Sequence, residues 1–98
     1  MRLLVNKHPK IVKLGLIGCG AMGSELARSV QRGEAGPASI IALFDQSASA
    51  RNRLSQELNR CQATPLIEAN TISELTEIDK IDLIVECASQ QVVTDHAV

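Results

Sequence analysis

Three glycines directly after an apolar run constrain this chain more than any other feature. They are Gly18, Gly20 and Gly23, within the stretch LGLIGCGAMGS at residues 14–24. The spacing G-x-G-x-x-G is a weak signal by itself, and it gains weight from a strand before it, a helix after it and an acidic residue about twenty positions further on. All three are predicted here, since Asp45 follows Gly23 by 22 positions. The stretch therefore predicts a dinucleotide cradle, and an incidental glycine-rich bend is the alternative.

The pattern along the chain is that of a parallel α/β sheet. Strands are predicted at about 11–18, 40–44, 65–67 and 83–85, and helices at about 21–32, 47–59, 71–78 and after 89. Such alternation is typical of βαβ units. In the first helix Met22, Leu26 and Val30 recur at helical spacing, which predicts its buried face. The fold class is therefore α/β, a Rossmann-like parallel sheet with helices on both faces.

Each glycine has its own predicted physical task. Gly18 allows the tight turn out of the strand, and Gly20 lets a pyrophosphate approach the backbone. Gly23 lets the helix pack closely on the sheet. The start of that helix then offers free N–H groups and a positive dipole end to the phosphates.

Asp45 ends the second predicted strand, where it can accept hydrogen bonds from both hydroxyls of an adenosine ribose. A 2′-phosphate there would meet a carboxylate, so Asp45 favours NAD over NADP. Arg51 and Arg53 weigh against this preference, because either guanidinium can swing toward a 2′-phosphate. The structural alternative for Asp45 is a cap for the next helix.

The loop after the fourth strand is the second predicted element of the crevice, since ligands of open α/β sheets lie beyond the carboxyl ends of the strands. Ala88 and Ser89 are small and leave room for the nicotinamide side of a cofactor, although Ser89 suits a helix cap equally well. Glu86 stands in an otherwise apolar strand, and burying a carboxylate costs several kcal/mol unless it is paired. Glu86 is interpreted either as a group near the nicotinamide ribose or as a brace for the loop.

The three cysteines suggest neither a disulfide framework nor a zinc site, because their count is odd and their spacing is wide. Cys19 and Cys87 follow neighbouring strands, so both are predicted to border the crevice and to lie close together. Their commoner role is that of small apolar filler. His8 and His96 have no partners in the sequence and are interpreted as surface residues.

Composition excludes several classes of partner and site. The formal net charge is −1 without a basic cluster, and the only aromatic residue is Phe44, which argues against nucleic acid and anionic membranes. No apolar run approaches the roughly 20 residues that span a bilayer. The apolar start of the chain is too short for a signal peptide. The three cysteines are expected to stay reduced, as is usual in the cytosol. Together with the features above, this leads us to expect a cytoplasmic protein.

Two passages together resemble L-aspartate dehydrogenases of archaeal and bacterial type. They are GLIGCGAMG at residues 15–23 and VECASQQVV at residues 85–93, and the E-x-A-S-Q run is unusual outside that family. The resemblance covers the chain from about Lys13 to its end, and Cys87 stands where alanine is usual. It implies an enzyme that oxidises L-aspartate to iminoaspartate, with hydride transfer to NAD or NADP. The imine hydrolyses to oxaloacetate and ammonia, or in some organisms feeds NAD biosynthesis.

The resemblance also implies roles for individual residues. The pyrophosphate would be held by the turn and its amides, which are those of Gly18, Cys19, Gly20, Ala21, Met22 and Gly23. Asp45 would take the adenosine ribose, while Ala88 and Ser89, beside Cys87, would line the nicotinamide ribose. The family's catalytic and substrate-binding residues lie in a later domain, so neither a catalytic residue nor a metal ligand is assigned here.

The domain organisation follows from the same comparison. Residues 1–12 are interpreted as an N-terminal extension and residues 13–98 as a truncated NAD(P)-binding Rossmann domain, the N-terminal part of a longer two-domain chain. The 98 residues alone are expected to bind dinucleotide weakly without turnover. The full-length protein is expected to be a homo-oligomer that takes its amino-acid substrate through the missing domain.

Three rival functions remain at this point. Another two-domain dehydrogenase, of the homoserine dehydrogenase or dihydrodipicolinate reductase type, has the same N-terminal half. A non-catalytic NAD-sensing module is the second. An S-adenosylmethionine methyltransferase is the least favoured, because its usual G-x-G-x-G pattern is broken by Met22, and the third glycine falls at Gly23.

Overall fold

A parallel sheet of four strands lies at the centre of the computed structural model, which describes residues 10–62 and 64–87. The elements in chain order are β1 (Val12–Ile17), α1 (Ala21–Gln31), β2 (Ala38–Phe44), α2 (Ala48–Asn59), β3 (Ile67–Glu68), α3 (Ile72–Thr76) and β4 (Leu83–Glu86). In space the strands run in the order β3-β2-β1-β4, and each neighbouring pair is parallel. The chain leaves β1 in one direction to form β2 and β3 and returns to form β4 on the other side. The carboxyl end of β1 is therefore a topological switch point, where open sheets bind ligands.

Helices cover both faces of this sheet, which confirms the predicted fold class. On one face, α1 and α2 bury an apolar cluster that includes Leu16, Leu43 and Leu58. On the other face, α3 packs Leu75 against a second cluster with Phe44. Side chains of a strand alternate between the two faces, so both clusters draw on β1 and β2.

The rotation of α1 differs from the prediction. Met22, expected on the buried face, is 59% exposed. The buried residues of α1 are instead Gly23, Ala27 and Val30. Gly23 lies against the backbone of the preceding turn, and this contact fixes which side of the helix meets the sheet. The side chain of Met22, one position earlier, consequently points outward.

Gly33 ends α1 in the left-handed conformation, with φ +82°. Its N–H donates to the carbonyl of Val30 at 3.0 Å, and the Glu34 N–H donates to the carbonyl of Ser29 at 3.0 Å. These two bonds satisfy carbonyls that the last turn would otherwise leave free. The end of α1 therefore needs glycine for its geometry.

Several shorter features also differ from expectation. The second strand begins at Ala38 rather than at residue 40, β3 begins at Ile67 rather than at residue 65, and α3 ends at Thr76 rather than near residue 78. Glu86 is exposed, so the cost of burying its carboxylate in the strand does not arise. Its strand, β4, lies at the edge of the sheet within the described residues. The predicted fourth helix falls outside the described residues, and no helix within them is long and apolar enough to cross a membrane.

Candidate functional site

The turn after β1 depends on Gly18. This residue has φ +104°, in the region where side chains other than hydrogen are strained. Its N–H donates to the carbonyl of Phe44 at 2.8 Å, which continues the pairing of β1 with β2. The chain therefore stays paired with β2 up to Gly18 and then turns abruptly, as the motif predicts.

Gly20 and Gly23 meet opposite surroundings. A Cβ built on Gly23 would lie 1.8 Å from the carbonyl oxygen of Gly18 and 2.8 Å from its carbonyl carbon. The first turn of α1 thus rests directly on the backbone of the preceding turn. A Cβ built on Gly20 would meet no atom of the described residues within 4 Å. Gly20 therefore faces open space, where the motif expects a pyrophosphate.

The first turn of α1 has free donors. Its N-cap, Gly20, makes no side-chain capping bond, and the turn contains no acidic residue. The N–H of Ser24 is the first to find an intrahelical acceptor, the Gly20 carbonyl, at 2.8 Å. The three amides before it, those of Ala21, Met22 and Gly23, have no acceptor within the helix.

The other two helices provide caps of their own, which makes the start of α1 distinctive. Ser47 accepts the Ala50 N–H of α2 at 3.2 Å through its hydroxyl, and Thr71 accepts the Glu74 N–H of α3 at 3.0 Å. Ser47, rather than Asp45 or Ser49, is thus the cap of α2. Uncapped amides at a positive dipole end form a ready anion site, and only α1 combines them with a glycine turn among the described helices.

Asp45 joins the glycine turn to the start of α2. One carboxylate oxygen, Oδ2, accepts the Cys19 N–H at 2.6 Å, and Oδ1 accepts the Ser47 N–H at 2.7 Å. Hydrogen bonds to an ionised carboxylate are stronger than neutral ones. A carboxylate has about four acceptor positions, so two remain for ribose hydroxyls. Asp45 can therefore brace the loop and still serve as the ribose acceptor expected from the sequence.

Arg51 connects the carboxyl ends of β2 and β3. Its Nη1 donates to the Asp45 carbonyl at 3.3 Å, and its Nη2 donates to Asn70 Oδ1 at 3.4 Å. Its Nε lies 3.5 Å from Glu68 Oε1, and the Arg51 side chain is only 15% exposed. Arg53, the other candidate for a 2′-phosphate, is exposed on the same helix.

Glu68 and Asn70, which contact Arg51, were not predicted from the sequence. Both follow or end a strand of two residues whose pattern is too short to mark its limits. A usable signal exists, because polar residues at the carboxyl end of a strand beside β2 belong to the ligand edge of an open sheet.

Cys19 has a buried thiol, which agrees with the role of apolar filler. Its side chain is 2% exposed, and desolvation, assisted by the nearby Asp45 carboxylate, raises the pKa of the thiol to about 12. Cys87 is half-buried and packs against the same apolar cluster, and burial raises the pKa of its thiol as well. The predicted neighbours Ala88 and Ser89 lie outside the described residues. Within the described part of the chain, no group of acidic, histidine and cysteine side chains could hold a metal ion.

These environments predict selective alkylation of the cysteines. The thiolate is the reactive form, so at mildly alkaline pH Cys19 should react with iodoacetamide at least about a hundredfold more slowly than the exposed Cys61. Mass spectrometry of timed, quenched samples measures the two rates. In denaturant all three cysteines should react alike, which is the control. Equal rates for Cys19 and Cys61 in the native protein would contradict this placement of the thiol.

The part of the chain that contains the glycine turn and Asp45 matches a known protein family. Residues 18–98 match the family model described as the NAD binding domain of homoserine dehydrogenase. The chain belongs to this family of NAD-binding domains. Within the family's shared fold, the glycine turn, the open start of α1 and Asp45 lie together at the switch point.

Curated L-aspartate dehydrogenases are also similar to this chain. L-aspartate dehydrogenases from Methanosarcina mazei, Methanococcoides burtonii and Nitrosopumilus maritimus are 39%, 34% and 36% identical to it over 83, 86 and 85 residues. These alignments cover 85–87% of the chain and 28–29% of the relatives, so the chain spans less than a third of their length. The resemblance found in the sequence is thereby confirmed. No solved structure matches the chain.

Proposed function

We propose that this NAD-binding domain serves an L-aspartate dehydrogenase, which oxidises L-aspartate to iminoaspartate and passes the hydride to a nicotinamide dinucleotide. The observation that carries the proposal is the identity of 34–39% to three curated proteins of that name, over 85–87% of the chain. The E-x-A-S-Q run after the fourth strand supports it from the sequence. The imine then hydrolyses to oxaloacetate and ammonia.

The residues at the switch point suit a dinucleotide. The free amides of Ala21 and Met22 would donate to the pyrophosphate, and the open space at Gly20 would admit it. Asp45 would accept hydrogen bonds from the adenosine ribose. When bound, the cofactor supplies a nicotinamide ring that accepts the hydride. The contribution of these residues is to bind and orient it.

NAD is the proposed cofactor in preference to NADP. The Asp45 carboxylate lies directly after β2, and the two backbone N–H groups that donate to it hold it in place. In this position it would accept hydrogen bonds from the ribose hydroxyls. A 2′-phosphate beside this carboxylate would meet a like charge. Residues 13–98 are proposed to form the cofactor domain of the enzyme, with the substrate bound elsewhere in the longer protein.

A homoserine dehydrogenase is the second candidate. The family model that matches residues 18–98 carries that enzyme's name, and the cofactor half of the two enzymes shares one design. Four curated relatives at 34–39% identity are named L-aspartate dehydrogenases, which favours aspartate.

Substrate oxidation by the natural full-length protein tests the proposal. NADH formation is followed with L-aspartate, homoserine and a panel of other amino acids, each against an enzyme-free blank. NADH formation with L-aspartate alone is the expected result. Formation with homoserine instead would support the second candidate. Tight NADH binding without turnover of any compound would favour a sensing module.

A further inference from the structure

We propose that Glu68 sets the preference of this domain for NAD over NADP, by holding the Arg51 guanidinium away from the adenosine ribose. The inference rests on the proposed dinucleotide-binding function. It concerns a carboxylate on β3 that contacts neither the glycine turn nor the carboxylate of Asp45 within the described residues. Glu68 is thus a positioning residue, which acts through Arg51.

The side chain of Arg51 extends from α2 toward β3. Its guanidinium contacts the Asp45 carbonyl on β2's side and the side chains of Asn70 and Glu68 beyond β3. In the strand order β3-β2-β1-β4, the contacts with Asn70 and Glu68 lie on the far side of β2 from the glycine turn, while the Asp45 carbonyl lies at the end of β2 itself. The Arg51 guanidinium is therefore turned toward β3, at one edge of the described sheet.

The contacts that hold it there are few and long. The two hydrogen bonds of the Nη atoms measure 3.3 and 3.4 Å, close to the upper limit for such bonds. The Nε is buried and makes no hydrogen bond, and its nearest acceptor is Glu68 Oε1 at 3.5 Å, an ionic contact. Because an unsatisfied buried donor is costly, the charge of Glu68 is what makes this position favourable for Arg51.

The local charge balance points the same way. Asp45 and Glu68 are acidic and Arg51 is basic, so the three groups together carry one negative charge. A 2′-phosphate brings about two more at neutral pH and would be repelled. Replacing Glu68 by glutamine removes one negative charge and weakens the attachment of Arg51. The freed guanidinium could then turn toward a 2′-phosphate, which is the geometry by which arginine accommodates NADP.

The variant Glu68→Gln tests this arrangement. Glutamine has nearly the same shape and can still accept the bond that Asn52 Nδ2 donates to Glu68 Oε2 at 3.4 Å. In the natural full-length protein, the affinity for NADPH relative to NADH is expected to rise about tenfold. Both dissociation constants are measured by nucleotide fluorescence, and thermal unfolding monitors the fold of each variant.

A matched control separates this effect from a general loss of negative charge. Glu57→Gln makes the same change on α2, where the carboxylate pairs with Arg28 of α1 at 2.6 Å. Its nucleotide ratio is expected to equal that of the wild type. A tenfold rise in Glu57→Gln as well would overturn the proposal, because any carboxylate would then have the same influence.

Two further variants test the role of Arg51 itself. In the double variant Glu68→Gln/Arg51→Ala the gain in NADPH affinity should disappear, and its persistence would overturn the proposal. Asn70→Ala removes the acceptor of Nη2 without a charge change, and should shift the ratio about threefold in the same direction. This variant also provides the test if Glu68→Gln does not fold.

The outcomes separate this inference from the proposed function. A wild-type protein that binds neither NADH nor NADPH would refute dinucleotide binding altogether. A wild type that binds NADH, with a ratio unchanged in Glu68→Gln and Asn70→Ala, would refute only the role of Glu68.

Discussion

Gly23→Ala is expected to destabilise this domain by about 3 kcal/mol, or to prevent it from folding. The added Cβ would lie 1.8 Å from the Gly18 carbonyl oxygen. The carbonyl oxygen is part of the backbone and the Cβ is bonded directly to it, so no change of side-chain rotamer relieves the overlap. The start of α1 must move away from the turn, and this movement opens the core around Ala27 and Val30. Urea unfolding of the natural full-length protein, followed by circular dichroism, measures the loss.

Gly20→Ala is the matched control for that prediction. A Cβ on Gly20 meets no atom of residues 10–62 and 64–87 within 4 Å, and the Gly20 φ of −76° suits any residue. Its free energy of unfolding should therefore stay within about 0.5 kcal/mol of the wild type. NADH binding should nevertheless weaken at least about tenfold, since the methyl group would occupy the space expected for the pyrophosphate. Unchanged NADH affinity in Gly20→Ala would contradict the proposed cradle.

Most of the fold was predictable because the local and global signals agree. The apolar strands, the helical stripes and Gly33 each specify an element without reference to distant residues. The order of those elements then limits the topology, because parallel strands joined by helices cross over with one hand. The four strands, the three described helices and both covered faces follow from this reasoning.

The side chains whose positions were predicted wrongly are placed by contacts that the periodicity of the sequence does not show. Met22 has the right spacing for the buried stripe, but the contact between Gly23 and Gly18 rotates α1 and turns Met22 outward. At the start of α3, Thr71 and Glu74 have the spacing that predicts a capping box, but only half of that box forms. Thr71 accepts the Glu74 N–H as expected, whereas the Glu74 carboxylate accepts the N–H of Asn70 at 2.8 Å rather than that of Thr71.

The polar contacts of the candidate site were not predicted, because several of them join residues that are far apart in the sequence. Asp45 lies 26 positions from Cys19, whose amide it accepts, and Arg51 lies 19 positions from Asn70. The motif locates Asp45 near a ribose but does not indicate that both of its oxygens already hold backbone amides. The bond from the Cys19 N–H forms only when β1 and β2 are paired, so it follows from the tertiary structure, whereas the bond from the Ser47 N–H is local.

Asp45→Asn should therefore affect both stability and binding. Asparagine has one acceptor oxygen, so the NH₂ group would face one of the two N–H donors, from Cys19 or Ser47, that the carboxylate now accepts. Loss of one such bond to a charged acceptor should lower the free energy of unfolding by about 2 kcal/mol. NADH affinity should fall at least about tenfold, since the ribose loses a charged acceptor.

Ser47→Ala separates the two effects, because it removes only the cap of α2. The Ser47 hydroxyl accepts the Ala50 N–H, while its own N–H still donates to Asp45. This variant should lose about 1 kcal/mol of stability and keep its NADH affinity. If Asp45→Asn is destabilised but binds NADH as well as Ser47→Ala does, Asp45 braces the loop without contacting the ribose. If it loses affinity at unchanged stability, the ribose contact is its main role and the two amide bonds contribute little to the fold.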